Sequence, residues 1–351
     1  MLRPQGELPF EMIVPIILCG GEGRRLWPLS TSARPKPFHV FSGQNSLFQN
    51  TLLRCVGGPF APLIIVVVHR QHVFLVHEQA AALGLNVHVV AEHDARDTCV
   101  AALAGALVAD RLAPGQPIAI LASDHQVTDH ARFQADFARS AEAAEDGHMV
   151  LHGISATAPH TRFGYVLPER DGVAADDASL RVSQFIEKPD EATAMALQVR
   201  GAYWNSGNVV VLPKVLLAAA RHSVPEVVDA VDDAVGNGTI RQDHRGDVLE
   251  MASFALDGWV PLPLDRAVLE RTHDMRVMPA GYDWSDLGTW DAIRALQGAE
   301  SDFVHSSSLP VVVLGLEGVI VVATDAGILV TREGQSAHMG PAVAAALARK
   351  P

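Results

Sequence analysis

Short apolar runs separated by stretches of helical periodicity recur along most of the chain. Residues 13–18, 63–68, 87–90, 118–121, 149–152 and 209–212 are brief, rich in Val and Ile, and almost free of polar alternation. Strands covered on both faces carry this pattern, so all six are expected in a buried parallel sheet. Between them, 46–56, 72–83, 98–111 and 131–146 have the length and spacing of helices, with Asp97 or Thr98 placed to cap the third. The alternation predicts an α/β fold built on a doubly wound, mostly parallel sheet. Beyond Trp290 the texture changes. Ser306-Ser307-Ser308 punctuates the chain, 311–314, 319–323 and 328–331 read as closely spaced strands, and 341–349 as a short Ala-rich helix. A first domain over 1–295 and a small β-rich domain over 296–351 are expected.

Composition narrows the function classes. A chain of 351 residues has length for a large core plus an appendage. No apolar run reaches membrane-spanning length, and Met1-Leu2-Arg3-Pro4-Gln5-Gly6-Glu7 carries no signal-peptide pattern, so a cytoplasmic protein without a membrane partner is expected. The three cysteines, Cys19, Cys55 and Cys99, are widely spaced and read as reduced buried thiols. A formal net charge of −13 at pH 7 argues against nucleic-acid partners, so any anionic substrate must be held by local cations. The sixteen histidines do not form a zinc motif, because His77-Glu78 has Ala at the position where H-E-x-x-H needs its second His.

The first candidate chemistry directly follows the first strand. Gly20-Gly21-Glu22-Gly23 allows a tight turn whose backbone N–H groups can approach an anion, and Arg24, Arg25 and Lys36 supply charge. The spacing fits neither G-x-x-x-x-G-K-[ST] nor G-x-G-x-x-G, so the turn alone is equally a structural connection. Ser123-Asp124-His125 lies at the end of the strand at 118–121, where open α/β sheets collect ligands, and Asp124 there suits either Mg²⁺ or a turn cap. Asp286, in Trp284-Ser285-Asp286-Leu287-Gly288-Thr289-Trp290, offers a second hard oxygen ligand. Glu187 and Asn205, in Phe185-Ile186-Glu187-Lys188-Pro189 and Trp204-Asn205-Ser206-Gly207, can bond to vicinal hydroxyls, with Lys188 as a charge for a sugar phosphate. Taken singly, each reads more readily as a solvated ion pair or a turn.

The order of these motifs carries a resemblance over nearly the whole length. Gly-Gly-Glu-Gly-Arg-Arg-Leu-Trp-Pro-Leu-Ser with Arg34-Pro35-Lys36 resembles the G-G-x-G-T-R-L-W-P-L-S signature of nucleotidyltransferases that make nucleotide sugars, in the mannose-1-phosphate guanylyltransferase branch. Glu92-His93-Asp94-Ala95-Arg96-Asp97-Thr98 is similar to E-P-x-x-R-N-T, and Phe163-Gly164-Tyr165-Val166 and Leu264-Asp265-Arg266-Ala267-Val268-Leu269-Glu270 continue the series. The resemblance implies a Rossmann-like nucleotidyltransferase that makes GDP-mannose and pyrophosphate from GTP and mannose 1-phosphate by in-line attack on the α-phosphate. Other hexose- or heptose-1-phosphate nucleotidyltransferases, or a non-catalytic regulatory homologue, are the alternatives.

By the same resemblance, Gly20, Gly21, Gly23, Arg25 and Lys36 hold the triphosphate, and Ser123, Glu92, Arg96 and Asp97 complete the nucleotide site. Asp124 and Asp286 hold Mg²⁺, and Gly164, Glu187, Lys188 and Asn205 hold the sugar phosphate. Arg25, Lys36, Asp124 and Lys188 are the expected catalytic set, and a homodimer is the assembly to test. Relatives often add an isomerase domain; at 351 residues this chain is expected to lack it, so isomerase activity is not implied. Arg24, Thr31, Pro37 and Asp97 depart from the family pattern. Asp97 is the sharpest departure, since it replaces an amide donor with a carboxylate near a nucleotide.

Overall fold

The computed structural model describes residues 12–21, 23–94, 96–169, 179–242, 245–256, 258, 260–298, 302–307 and 309–348. Met1 to Glu7, Glu22, Ala95, Ser308 and Arg349, all named above, lie outside them. The chain divides into two units, one of 1–20, 51–123 and 127–284, the other of 21–50, 124–126 and 285–351. Among the described residues no helix is long and apolar enough to cross a membrane.

The first unit is built on an eleven-stranded sheet. In chain order its strands are β1 (Val14–Cys19), β2 (Ile65–His69), β3 (His88–Glu92), β4 (Ile118–Ala122), β5 (Met149–Ser155), β6 (Gly164–Pro168), β7 (Leu180–Glu187), β8 (Tyr203–Val211), β9 (Thr239–Arg241), β10 (Val248–Glu250) and β11 (Met275–Pro279). Their order across the sheet is β5-β11-β7-β6-β8-β4-β1-β2-β3-β10-β9. The block β4-β1-β2-β3-β10 is parallel, as the continuous apolar runs predict. The helices are α1 (Leu47–Arg54), which runs on from the second unit, α2 (Val73–Ala82), α3 (Asp97–Leu112), α4 (His130–Glu145), α5 (Glu191–Val199), α6 (Pro213–Ser223), α7 (Pro225–Gly236) and the single turn α8 (Leu264–Ala267). Most of α3 is buried. Gly105 lets it lie close to the sheet, because a Cβ there would sit 2.5 Å from Ile16 Cγ2.

Two expectations change here. The run at 209–212 lies in β8, which is antiparallel to β4, β5 and β6. An antiparallel strand in the sheet interior is covered on both faces and shows the same unbroken apolar pattern as a parallel one. Neither Asp97 nor Thr98 caps α3: Arg96 holds the cap position without a side-chain bond, Asp97 opens the helix at φ 67°, and Thr98 Oγ1 accepts from Leu264 N at 2.9 Å.

In the second unit β12 (Phe303–Ser306), β13 (Val319–Thr324) and β14 (Gly327–Arg332) form a three-stranded sheet, β12 parallel and β14 antiparallel to β13. With α9 (Trp290–Leu296) and α10 (Gly340–Leu347) it surrounds a core of Leu26, Phe41, Leu47, Trp290, Phe303, Ile320 and Val322. Residues 311–314 are not a strand: Val312 is 87% and Leu314 90% exposed, so their apolar character buries nothing. The strand before β13 is instead β12, at 303–306, where Phe303 fills the core.

Candidate active site

The glycine-rich turn leaves β1 through positive-φ glycines. Gly21 has φ 89° and Gly23 φ 61°, a region L side chains seldom occupy. Gly23 is required twice over, because a Cβ would also sit 2.5 Å from Lys36 Cβ. Gly20 is exposed at the end of β1, with open space where a Cβ would point. Downstream, the 3-10 turn Lys36–Phe38 starts after Pro35, whose extended backbone (φ −67°, ψ 163°) sets its entry. Lys36 is only 4% exposed.

A buried ammonium needs acceptors, and two loops of the second unit supply them. Lys36 Nζ donates to Asp124 Oδ2 at 2.8 Å and to the backbone carbonyl of Asp286. The loops are joined by reciprocal backbone bonds, Gln126 N to Ser285 O at 2.9 Å and Ser285 N to Gln126 O at 3.0 Å. Asp286 turns back on itself, with Oδ1 accepting from Gly288 N at 3.2 Å. Gly288 leaves room for two charged groups: a Cβ there would lie 2.5 Å from Asp286 Oδ2 and 3.0 Å from Arg25 Nη2. Arg25, Lys36, Asp124 and Asp286 thus converge, although Lys36 and Asp286 are 250 residues apart in sequence. Burial opposes the charge of Asp124, but Lys36 and His125 outweigh it and hold the carboxyl below its ordinary range.

These donors suit a hard divalent cation. Two carboxylates are what Mg²⁺ ordinarily takes from protein, the rest of its shell coming from phosphate oxygens and water. The region already holds one cationic group, the Lys36 ammonium, against Asp124. Among the described residues no cluster of three or more His, Cys, Asp or Glu side chains forms an all-protein metal cage.

In the first unit, Ser123 follows β4, its N–H donating to Leu18 O at 3.2 Å and its carbonyl accepting from Thr51 Oγ1 at 3.3 Å. Its hydroxyl is buried without a partner. Glu92 ends β3 and is 7% exposed, and its Oε1 is buried without a partner. Burial pushes its carboxyl up to about 7, against the pull of Arg96. The Arg96 guanidinium lies 4.4 Å over the Phe254 ring and donates to Phe254 O at 2.6 Å. Glu92, Arg96, Val100, Met251 and Phe254 line a small pocket. Asp97 turns its carboxylate onto the N–H of Thr98 at 2.7 Å. Sequence reasoning missed Phe254, which belongs to none of the motifs.

The sugar-phosphate candidates also meet in the first unit. Gly164 begins β6, Glu187 ends β7 and Asn205 is near the start of β8, and these strands are neighbours. A Cβ on Gly164 would lie 2.6 Å from Glu187 Oε2 and 3.2 Å from Asn205 Cβ. Lys188 sits at φ 51°, an uncommon conformation for lysine, with Nζ donating to Glu187 Oε1 at 2.7 Å. Two carboxylates join this set without having been assigned a role. Asp265 Oδ1 accepts from Asn205 Nδ2 at 2.6 Å, and Glu270 Oε1 accepts from Glu187 N at 2.8 Å. Burial and then the neighbouring Glu187 raise the Asp265 carboxyl to about 6. The signal was present in the Leu-Asp-Arg-Ala-Val-Leu-Glu motif, but nothing in its spacing says which strands it meets.

A nucleotidyl transferase family model matches residues 14–301. The xanthan biosynthesis protein XanB of Xanthomonas campestris is 35% identical over 338 residues, covering 91% of this chain and 70% of that protein. The mannose-1-phosphate guanylyltransferase of Escherichia coli is 31% identical over 354 residues, covering 95% of this chain and 73% of the relative. The crystal structure of a mannose-1-phosphate geranyltransferase from Thermus thermophilus shares the fold with a TM-score of 0.79 at 24% identity, covering 96% of this chain and 99% of that one.

Proposed function

Because the chain belongs to the nucleotidyl transferase family, we propose that it transfers the guanylyl group of GTP to mannose 1-phosphate, giving GDP-mannose and pyrophosphate. One observation carries the reading: a buried lysine, seated beside the glycine-rich turn, bridges the Asp124 carboxylate and the Asp286 backbone while Arg25 lies over Gly288. Two cations and two carboxylates lying together support the reading, because a triphosphate and its metal call for opposite charges at one site.

In the reaction a phosphate oxygen of mannose 1-phosphate attacks the α-phosphorus of GTP in line. The new P–O bond forms as the bond to the β-phosphate bridging oxygen breaks, and pyrophosphate leaves. Asp124 and Asp286 would hold Mg²⁺, which neutralises phosphate charge when bound. The positive-φ glycines offer N–H groups to phosphate oxygens, and Arg25 and Lys36 stabilise the charge that develops on them. Positioning of the two substrates supplies much of the rest. Glu187 and Asn205 accept and donate hydrogen bonds at the sugar hydroxyls, and Lys188 meets the sugar phosphate. Glu92, Arg96 and Asp97 serve the nucleoside. Cys19, Cys55 and Cys99 are buried and form no disulfide, a state that suits a cytoplasmic enzyme.

Pyrophosphate release measured over a panel of NTPs and sugar 1-phosphates tests the reading. GTP with mannose 1-phosphate is expected to give the largest kcat/KM, with activity abolished by EDTA. A better rate with UTP or dTTP and glucose 1-phosphate, or turnover in excess chelator, refutes the substrate pair or the metal role respectively.

A further inference from the structure

Residues 264–270 form one short segment tied to three distant places in the first unit. The turn α8 and the 3-10 turn Leu269–Arg271 keep Leu264, Ala267, Val268 and Leu269 in the main core. The segment's polar groups then reach outward. Leu264 N donates to Thr98 Oγ1, beside Asp97. Asp265 receives the Asn205 amide, 60 residues away in sequence. Glu270 receives the backbone N–H of Glu187, 83 residues away, just before Lys188 takes its left-handed conformation.

We infer that 264–270 is a brace for the sugar-phosphate site, with Asp265 and Glu270 as positioning residues that set how Asn205 and the Glu187-Lys188 turn meet the sugar. This rests on the sugar-site reading given under Proposed function. The geometry determines the Asn205 amide completely: Nδ2 points to Asp265 and Oδ1 accepts from Gly207 N at 3.1 Å. An amide that can flip offers donor and acceptor interchangeably, whereas this one presents a single arrangement and so discriminates between hydroxyl epimers. Glu270 acts on the other side. Its bond to Glu187 N, with that of Lys188 N to Phe163 O at 3.2 Å, holds the backbone that aims Lys188. A half-buried carboxyl beside Glu187 is costly, and such groups collect where a site must be tuned.

Steady-state kinetics on the full chain, with GTP and mannose 1-phosphate varied separately, test the brace. Asp265→Ala leaves the Asn205 amide free to rotate and is expected to raise KM for mannose 1-phosphate about tenfold while KM for GTP stays within twofold. The preference for mannose 1-phosphate over glucose 1-phosphate should fall with it. Asp265→Asn keeps an acceptor and should restore KM to within about threefold of wild type. Glu270→Ala, at an exposed position, should also raise KM for the sugar phosphate, and it decides the matter if Asp265→Ala fails to fold. Both KM values rising together, or neither moving in the folded variants, overturns the brace. Wild-type protein inactive with GTP and every hexose 1-phosphate overturns the proposed function itself, and the brace with it.

Discussion

Lys36→Met removes the ammonium from a buried pair while keeping most of the stem, and the structure allows the cost to be worked out. Lys36 has 5% of its side chain exposed and Asp124 29%, with 2.8 Å between Nζ and Oδ2. Breaking a buried pair by deleting one partner costs about 3–5 kcal/mol, because it leaves an uncompensated charge. Water reaches Asp124 in part, so the lower end, ~3 kcal/mol, is the expected loss for Lys36→Met. Asp124→Asn leaves the ammonium its bond to the Asp286 carbonyl and an amide oxygen in place of the carboxylate, which puts the loss at about 2 kcal/mol. Once either charge is gone, removing the other relieves a stranded group. The double variant should therefore lose only about 3 kcal/mol in all, about 2 kcal/mol less than the sum of the single variants, which is the coupling a double-mutant cycle reads. Urea unfolding at pH 7 without nucleotide or metal gives the three differences. Single-variant losses that add to within about 0.5 kcal/mol would refute the claim that these residues share one buried ion pair.

Gly164→Ala should raise KM for the sugar phosphate by about tenfold, through ~1–3 kcal/mol of overpacking against Glu187 Oε2, and leave KM for GTP alone; saturation curves for both substrates check it. Glu92 has a folded pKa of about 7, above its unfolded value, so its contribution to stability is fully present below the unfolded pKa and is lost as pH rises through 7. Wild-type stability should accordingly fall between pH 5 and pH 8 by up to about 3 kcal/mol relative to Glu92→Gln, measured by urea unfolding at both pH values. Gly327→Ala pushes a Cβ to 2.5 Å from the Trp27 ring, two residues after Arg25, and should cost about 1–3 kcal/mol together with a lower kcat. An unchanged kcat in that variant would show that the Trp27 contact does not help to place Arg25.

The sequence by itself determined the pieces whose cause is local. The unbroken Val and Ile runs at 13–18, 63–68, 87–90 and 118–121 read as covered strands and correspond to β1 to β4, with helices between them. The glycines at 21 and 23 announce backbone that L side chains resist, and their φ values of 89° and 61° agree. The motifs also brought Lys36, Asp124 and Asp286 to notice, since each stands beside a strand end or glycine turn. Tertiary structure decided what depends on pairing. Strand direction leaves no mark on a strand covered on both faces, so β8 read as parallel. Apolar residues at 311–314 looked like a strand because hydrophobicity records what could be buried, not what is. Asp265, Glu270 and Phe254 gained their place only through partners 60, 83 and 158 residues away, because a hydrogen bond acts through space and the spacing of residues along a chain does not encode the distance between them.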